Sequence, residues 1–136
     1  DKLQKFQKIR QENFLYLESK LKSLEEYFIF PKHLENSEPS WFGFLLTIKD
    51  HEKFKREDIL KHLNSEGIDT RLLFGGNIIK QPYFIKNNPK FRIVQNLNNT
   101  EKIMNDTFWV GICPLINEED INKIILSIGS FISQII

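Results

Sequence analysis

Thr70-Arg71-Leu72-Leu73-Phe74-Gly75-Gly76-Asn77 is the stretch that decides how the rest of this chain is read. An apolar run of strand composition stops at paired glycines and an asparagine, and Ile78-Ile79-Lys80-Gln81-Pro82-Tyr83-Phe84 follows. Backbone freedom and polar groups thus meet at the mouth of a sheet, where a ligand can approach the main chain closely. Just upstream, a helix from about Lys55 to Ser65 carries Ile59, Leu60 and Leu63 on one face. Gly67 stands where such a helix ends, so the chain passes from helix into a strand over Ile68–Leu73.

Working outward towards the N-terminus, Trp41-Phe42-Gly43-Phe44-Leu45-Leu46-Thr47-Ile48 is a continuous apolar run, as in a strand covered on both faces. Lys49 to Lys53 turns the chain into the helix, and 33–39, with Asn36, Ser37 and Pro39, reads as a loop. Before Pro31, the residues Leu3, Phe6, Phe14, Leu17, Leu21, Leu24 and Phe28 recur mostly three and four apart, which predicts one long amphipathic helix from Asp1 to about Tyr27. The spacing from Phe14 to Phe28 also suits a short coiled-coil seam. No capping residue precedes the first turn, so the chain reads as a fragment whose helix begins upstream.

Downstream, Ile78–Phe84 reads as a helical turn broken at Pro82, 85–90 as polar, and Phe91-Arg92-Ile93-Val94 as a short strand. Asn99 or Thr100 caps a short helix to Asn105 that turns Ile103 and Met104 inward, and Thr107–Ile112 is the next strand, closed by Pro114. Asn117 caps the last helix; Glu118, Glu119 and Asp120 suit its N-terminal dipole, and an isoleucine-rich face runs from Ile121 to Ile135. This order of elements gives an α/β two-layer sandwich with a small sheet and flanking helices.

Composition narrows the function. At 136 residues, with 40% hydrophobic and 27% charged residues, the chain is one globular domain. Twelve phenylalanines imply either an aromatic core or a surface that meets a partner. A net charge of +1 supplies no field to steer it onto nucleic acid or anionic membrane. Cys113 is the lone cysteine, so there is no internal disulfide and no cysteine-built metal site, as expected of a cytoplasmic protein. No apolar stretch reaches the roughly 18 residues of a membrane span, and no secretion signal is evident.

The chemistry-bearing residues are few. Gly75-Gly76-Asn77 is either a plain tight turn or a nest of amides for an anion, and Arg71 either pairs with a carboxylate or reaches a ligand. His33, His51 and His62 show no metal-site spacing and read as solvated, and Cys113 reads as a small buried residue. Asp58, Glu66 and Asp69 form no acid and base pair across a cleft, so no catalytic residue and no metal ligand is assigned. Trp41, Phe42, Phe44, Phe108 and Trp109 could stack bases, but no Lys or Arg lies between Trp41 and Ile48, which favours core packing.

Taken together, Ser40-Trp41-Phe42-Gly43-Phe44, the Thr70–Asn77 stretch, Gln81-Pro82-Tyr83 and Asn105-Asp106-Thr107-Phe108-Trp109-Val110-Gly111 resemble the DegT/DnrJ/EryC1/StrS family of vitamin B6-dependent sugar enzymes. The resemblance covers essentially the whole chain and is nearest the nucleotide-linked 4-keto-6-deoxyhexose 3-dehydratases of lipopolysaccharide O-antigen synthesis. It implies the small domain of an aspartate aminotransferase-type (fold type I) enzyme, with 1–28 as an interdomain helix and 29–136 as the small C-terminal α/β domain. The large cofactor domain would be missing and the whole enzyme a homodimer. Its cofactor would be pyridoxamine 5'-phosphate or pyridoxal 5'-phosphate, bound in the full-length enzyme and not in this piece. The amine condenses with the 4-keto group and the ring serves as electron sink while the C3 hydroxyl leaves. A histidine that replaces the aminotransferase lysine belongs to the large domain, so this piece would be inactive alone, and Lys80 is not the Schiff-base lysine.

By the same resemblance, Gly75, Gly76 and Asn77 approach the cofactor, Arg71 and Asn77 contact the nucleotide-linked sugar, and Trp41, Phe42 and Trp109 belong to the core and the interface with the missing domain. Some dehydratases use an iron-sulfur cluster, whose cysteines this chain lacks. Lyase and transferase both remain open. The alternative is a free-standing α/β module that binds nucleotides or nucleic acid through its aromatic strands.

Overall fold

The computed structural model describes residues 2–50 and 53–135. His51, and with it the middle of the turn expected over Lys49–Lys53, lies outside the described residues, as does Asp1. Helix α1 (Lys2–Leu21) gives way to a 3-10 turn (Lys22–Leu24), then a two-residue edge strand, β1 (Phe28–Ile29). Next come β2 (Gly43–Ile48), α2 (Arg56–Ser65), β3 (Thr70–Leu72) and a 3-10 turn at Ile78–Lys80. Helices α3 (Pro82–Asn87) and α4 (Asn98–Asp106), strand β4 (Thr107–Gly111) and helix α5 (Glu118–Ile135) complete the chain.

The four strands form one antiparallel sheet in the order β1-β2-β4-β3. Strand β4 is held on both sides, with Phe44 opposite Val110 and Leu46 opposite Phe108 on one edge and Arg71 opposite Trp109 on the other. Thr47 and Thr107 face each other and share a hydrogen bond of 2.8 Å between hydroxyls. Alternation then decides the core. Phe44, Leu46 and Ile48 of β2 and Phe108 and Val110 of β4 are buried with Phe14, Leu17 and Leu21 of α1, Ile59 and Leu63 of α2, and Ile121, Ile128 and Ile132 of α5. The expected α/β sandwich with a small sheet and flanking helices is the fold observed.

Several local expectations are corrected. The first helix stops at Leu21 because Phe28 and Ile29 are drawn into pairing with Ile48 and Thr47, which needs extended backbone. Its Phe14–Leu17–Leu21 stripe packs into the chain's own core and forms no coiled-coil seam there. Pro82 does not break a helix; it begins one, at a position where a missing N–H costs nothing. Phe91–Val94 carries no strand, and the residue before α4 is Leu97, with no side-chain cap from Asn99 or Thr100. Ile103 is exposed, whereas Met104 is half-buried. Asn117 does cap α5: its Oδ1 accepts from the Asp120 N–H at 2.9 Å while Asp120 Oδ2 accepts from the Asn117 N–H at 3.0 Å.

Candidate site at the end of strand β3

Strand β3 delivers the chain to a turn that is clamped from behind. The Phe74 N–H donates to the Leu72 carbonyl at 2.9 Å, and Phe74 itself sits in the left-handed region at φ 48°. Gly76 also has a left-handed φ of 59°, and a Cβ there would stand 2.6 Å from Met104 Cγ, so Gly76 is where the turn presses on α4. Gly75 is different: the nearest atom to a Cβ added there is Gln81 Nε2 at 4.0 Å. The Gln81 amide closes the turn by donating to the Gly75 carbonyl.

Asn77 is buried beneath this turn, at 1% exposure. Its Oδ1 accepts from the Ile79 N–H at 3.3 Å and its own N–H points at Met104 Sδ at 3.4 Å, yet its Nδ2 has no hydrogen-bond partner. A buried donor without a partner carries a desolvation cost that a bound acceptor would relieve. Beside it, Gly76, Asn77, Phe84, Phe91, Arg92 and Thr100 line a recess of about 360 Å³. Lys80 is engaged with Glu101 at 2.8 Å.

Arg71 lies on the exposed edge strand, where Nη1 meets Asp69 Oδ1 at 2.5 Å and the Thr70 carbonyl at 3.0 Å. The hydrogen bond from Arg71 holds the Asp69 carboxyl below its ordinary pKa. Four of the residues singled out in the sequence therefore sit along one short path, Arg71 paired and exposed on the strand, Gly75 open, Gly76 packed and Asn77 buried. Trp41 stacks on Phe14 with ring centroids 4.1 Å apart, and Phe42, which is 65% exposed, leans on Trp109 at 5.0 Å, while the Trp109 ring lies over Gly43.

Sequence reasoning missed Met104 as the backing of the turn and Gln81 as its clasp; the signal for Met104 was its expected inward position on the short helix, without any hint of what it would face. Two other readings are corrected. Cys113 is exposed, because Ile112 takes the inward position after β4 and the next residue must point out. His62 is half-buried where α2 packs on α5, with Nε2 3.1 Å from the Ser127 carbonyl and 3.2 Å from Ser130 Oγ. His33 is exposed, and no cluster of metal-ligating side chains occurs among the described residues.

The sequence profile of the DegT/DnrJ/EryC1/StrS aminotransferase family matches residues 1–129. This chain belongs to that family. Within the family it is 41% identical over 131 residues to the lipopolysaccharide biosynthesis protein RfbH of Salmonella typhimurium, covering 96% of this chain and 30% of that protein. It is 36% identical to the dTDP-4-dehydro-2,6-dideoxy-D-glucose 3-dehydratase of Saccharopolyspora spinosa, over 98% of this chain and 28% of that one. A solved structure of the E. coli GDP-4-keto-6-deoxy-D-mannose-3-dehydratase with bound hydrated PLP superposes with a TM-score of 0.80 at 27% identity, over 93% of this chain and 31% of that chain. The DegT/DnrJ/EryC1/StrS chain described here thus spans about a third of the length of the relatives it matches. No helix among its described residues is long and apolar enough to cross a membrane.

Proposed function

We propose that this chain is the small-domain part of a pyridoxamine- or pyridoxal-phosphate-dependent enzyme that removes the C3 hydroxyl of a nucleotide-linked 4-keto-6-deoxyhexose, in lipopolysaccharide biosynthesis. What carries this reading is the identity across nearly the whole chain, 41% to RfbH for the lipopolysaccharide setting and 36% to a nucleotide-sugar 3-dehydratase for the reaction. In this reading residues 1–28 link the two domains, 29–136 cover the active site, the assembled enzyme is a homodimer, and it works in the cytoplasm, where a free Cys113 is at home.

The residues present fit one wall of a cofactor site. Asn77 Nδ2 is a buried donor with no partner, and Gly75 leaves room for close approach of a planar group. When bound, the cofactor supplies an electron sink for breaking bonds next to the carbon it attaches to. Asn77 would donate to an oxygen of cofactor or sugar, Gly75 and Gly76 would let the main chain come close, and Arg71 would exchange its exposed partner Asp69 for an anionic group of the substrate. Tyr83, Ile85, Ile93 and Val94, all exposed, would close against the cofactor-bearing part of the polypeptide and keep water out.

In this reading the proton is moved by the cofactor-bearing part of the polypeptide; among the described residues Lys80 is paired with Glu101, and no histidine lines the recess beside the turn. The test is to incubate the intact polypeptide, and separately this chain, with pyridoxamine phosphate and a nucleotide-linked 4-keto-6-deoxyhexose and follow the sugar by mass spectrometry. Loss of water is expected with the intact protein and not with the chain alone. Turnover by the chain, or an imine absorbance that disappears in Lys80→Ala, would sink the assignment. No observation favours the free-standing nucleic-acid module, whose aromatic strands would sit on a protein of net charge +1.

A further inference from the structure

Phe74 combines two unfavourable features, a left-handed backbone and an uncovered ring. A bulky side chain in the left-handed region is a genuine outlier, held here at φ 48°. The ring is also 85% exposed, so packing among the described residues offsets little of the strain. Gly75 follows directly and would have taken such a backbone conformation freely. An aromatic ring is thus projected, at a cost, from the rim of the turn that the proposed function places at the substrate, beside Gly75, where an added Cβ would meet no atom closer than 4.0 Å.

We propose that Phe74 reads carbon 6 of the sugar, its ring packing on the C6 methyl and disfavouring a C6 hydroxymethyl group. The proposal rests on the reading of the chain as part of a 4-keto-6-deoxyhexose dehydratase. The chemistry follows from the substrate class. In a 6-deoxyhexose the methyl is the one ring substituent with no polar atom, so it is the one place where an exposed phenyl gains by contact. The relatives whose names specify a substrate, a GDP-4-keto-6-deoxy-D-mannose dehydratase and a dTDP-4-dehydro-2,6-dideoxy-D-glucose dehydratase, share the missing C6 oxygen while differing in nucleotide and sugar. An apolar contact rejects an added hydroxyl only modestly, by about a hundredfold at most.

Two measurements test this. In the 136-residue chain, Phe74→Gly should melt no lower than the parent, because glycine adopts the left-handed backbone without strain and no packed ring is lost. In the intact enzyme, kcat/KM is measured for a nucleotide-linked 4-keto-6-deoxyhexose and for its counterpart bearing a C6 hydroxyl. The preference for the 6-deoxy sugar should fall about tenfold in Phe74→Gly and be largely kept in Phe74→Leu, which retains an apolar surface. Equal losses on both sugars, with the ratio unchanged, would show that the ring merely packs on the rest of the polypeptide and would overturn the proposal, as would a markedly lower melting point of the isolated variant. The unsubstituted enzyme reports separately on the underlying reading: if it dehydrates the 6-deoxy sugar, the function stands whatever the ratio does, and if it dehydrates neither, function and proposal fall together.

Discussion

Gly75 and Gly76 are indistinguishable as letters, and the structure separates them by what stands behind each. A side chain at Gly76 meets two obstacles, the left-handed φ of 59° and a Cβ position 3.1 Å from Met104 Cα, which is backbone and cannot swing away. Gly76→Ala should therefore lower stability by about 1–3 kcal/mol, measured as a lower urea midpoint. Gly75→Ala, with ordinary space around the added methyl, should stay within about 0.5 kcal/mol of the parent. Equal losses at both positions would contradict the packing described. The paired glycines and Asn77 were legible as a special turn from sequence because their backbone preferences are local. That Asn77 would be buried with an idle Nδ2 was not, since burial there depends on Met104, which the chain reaches only much later.

Among the elements, Arg56 does more than open α2. Its Nη1 donates to the Met104 carbonyl and, at 3.2 Å, to that of Thr107, so a cation from one helix satisfies acceptors where α4 ends and β4 begins. Its Nε is buried without a partner, leaving Nη1 as the group that holds it. Arg56→Met should cost about 1.5–3 kcal/mol in chemical denaturation with little change in the dependence on urea, and Arg56→Lys should recover only part of it, because one ammonium cannot reproduce the planar fork. The longer elements, β2, α2, β4 and α5, were readable because their apolar periodicity is strong and their ends are marked by Gly67, Pro114 and Asn117. The short ones were not. Strand β1 exists only because Phe28 finds Ile48, and the apolar letters of Phe91–Val94 form no strand among the described residues because no neighbour pairs with them. Pro82 carried a real signal whose sign depends on its place in the helix, harmful inside and favourable at the start.

At the scale of the whole molecule, charge ties the loop after β2 to α4. Lys102 reaches Asp50 at 2.7 Å and Asp106 at 3.0 Å. Burial disfavours its charge, but the hydrogen bonds with Asp50 and Asp106 outweigh this and raise its pKa. The hydrogen bond and charge of Lys102 pull the Asp50 carboxyl below its ordinary value, as Arg71 does for Asp69. Because these folded-state values lie below the unfolded ones, the pairs stabilise the fold fully above about pH 4 and stop doing so as pH falls through the folded values. Both carboxylates face solvent, so the acid loss is small; denaturation midpoints between neutral and acid pH should fall, and by less in Asp50→Asn. A larger effect comes from uncovered apolar surface. Phe74, Ile78, Tyr83, Ile85, Val94 and Leu115 are each more than half exposed, and apolar side chains left uncovered together favour association. The isolated chain should bind a dye such as ANS and sediment as concentration-dependent oligomers, and a strictly monomeric, dye-free chain would show that this surface is not adhesive.

Strand β4 lies between β2 and β3 in the sheet yet is synthesised last of the four strands. Until residues 107–111 have emerged from the ribosome, β2 has only the two-residue β1 to pair with and β3 has no partner. The apolar run of β2 must therefore wait through the translation of α2, the glycine turn and α4 before its long-range partner arrives, which makes folding slow to begin and leaves a sticky strand exposed during synthesis. Pausing or truncating translation before Thr107 should yield chains that chaperones hold and proteases clear, while release just beyond α5 should give the folded sheet in one step.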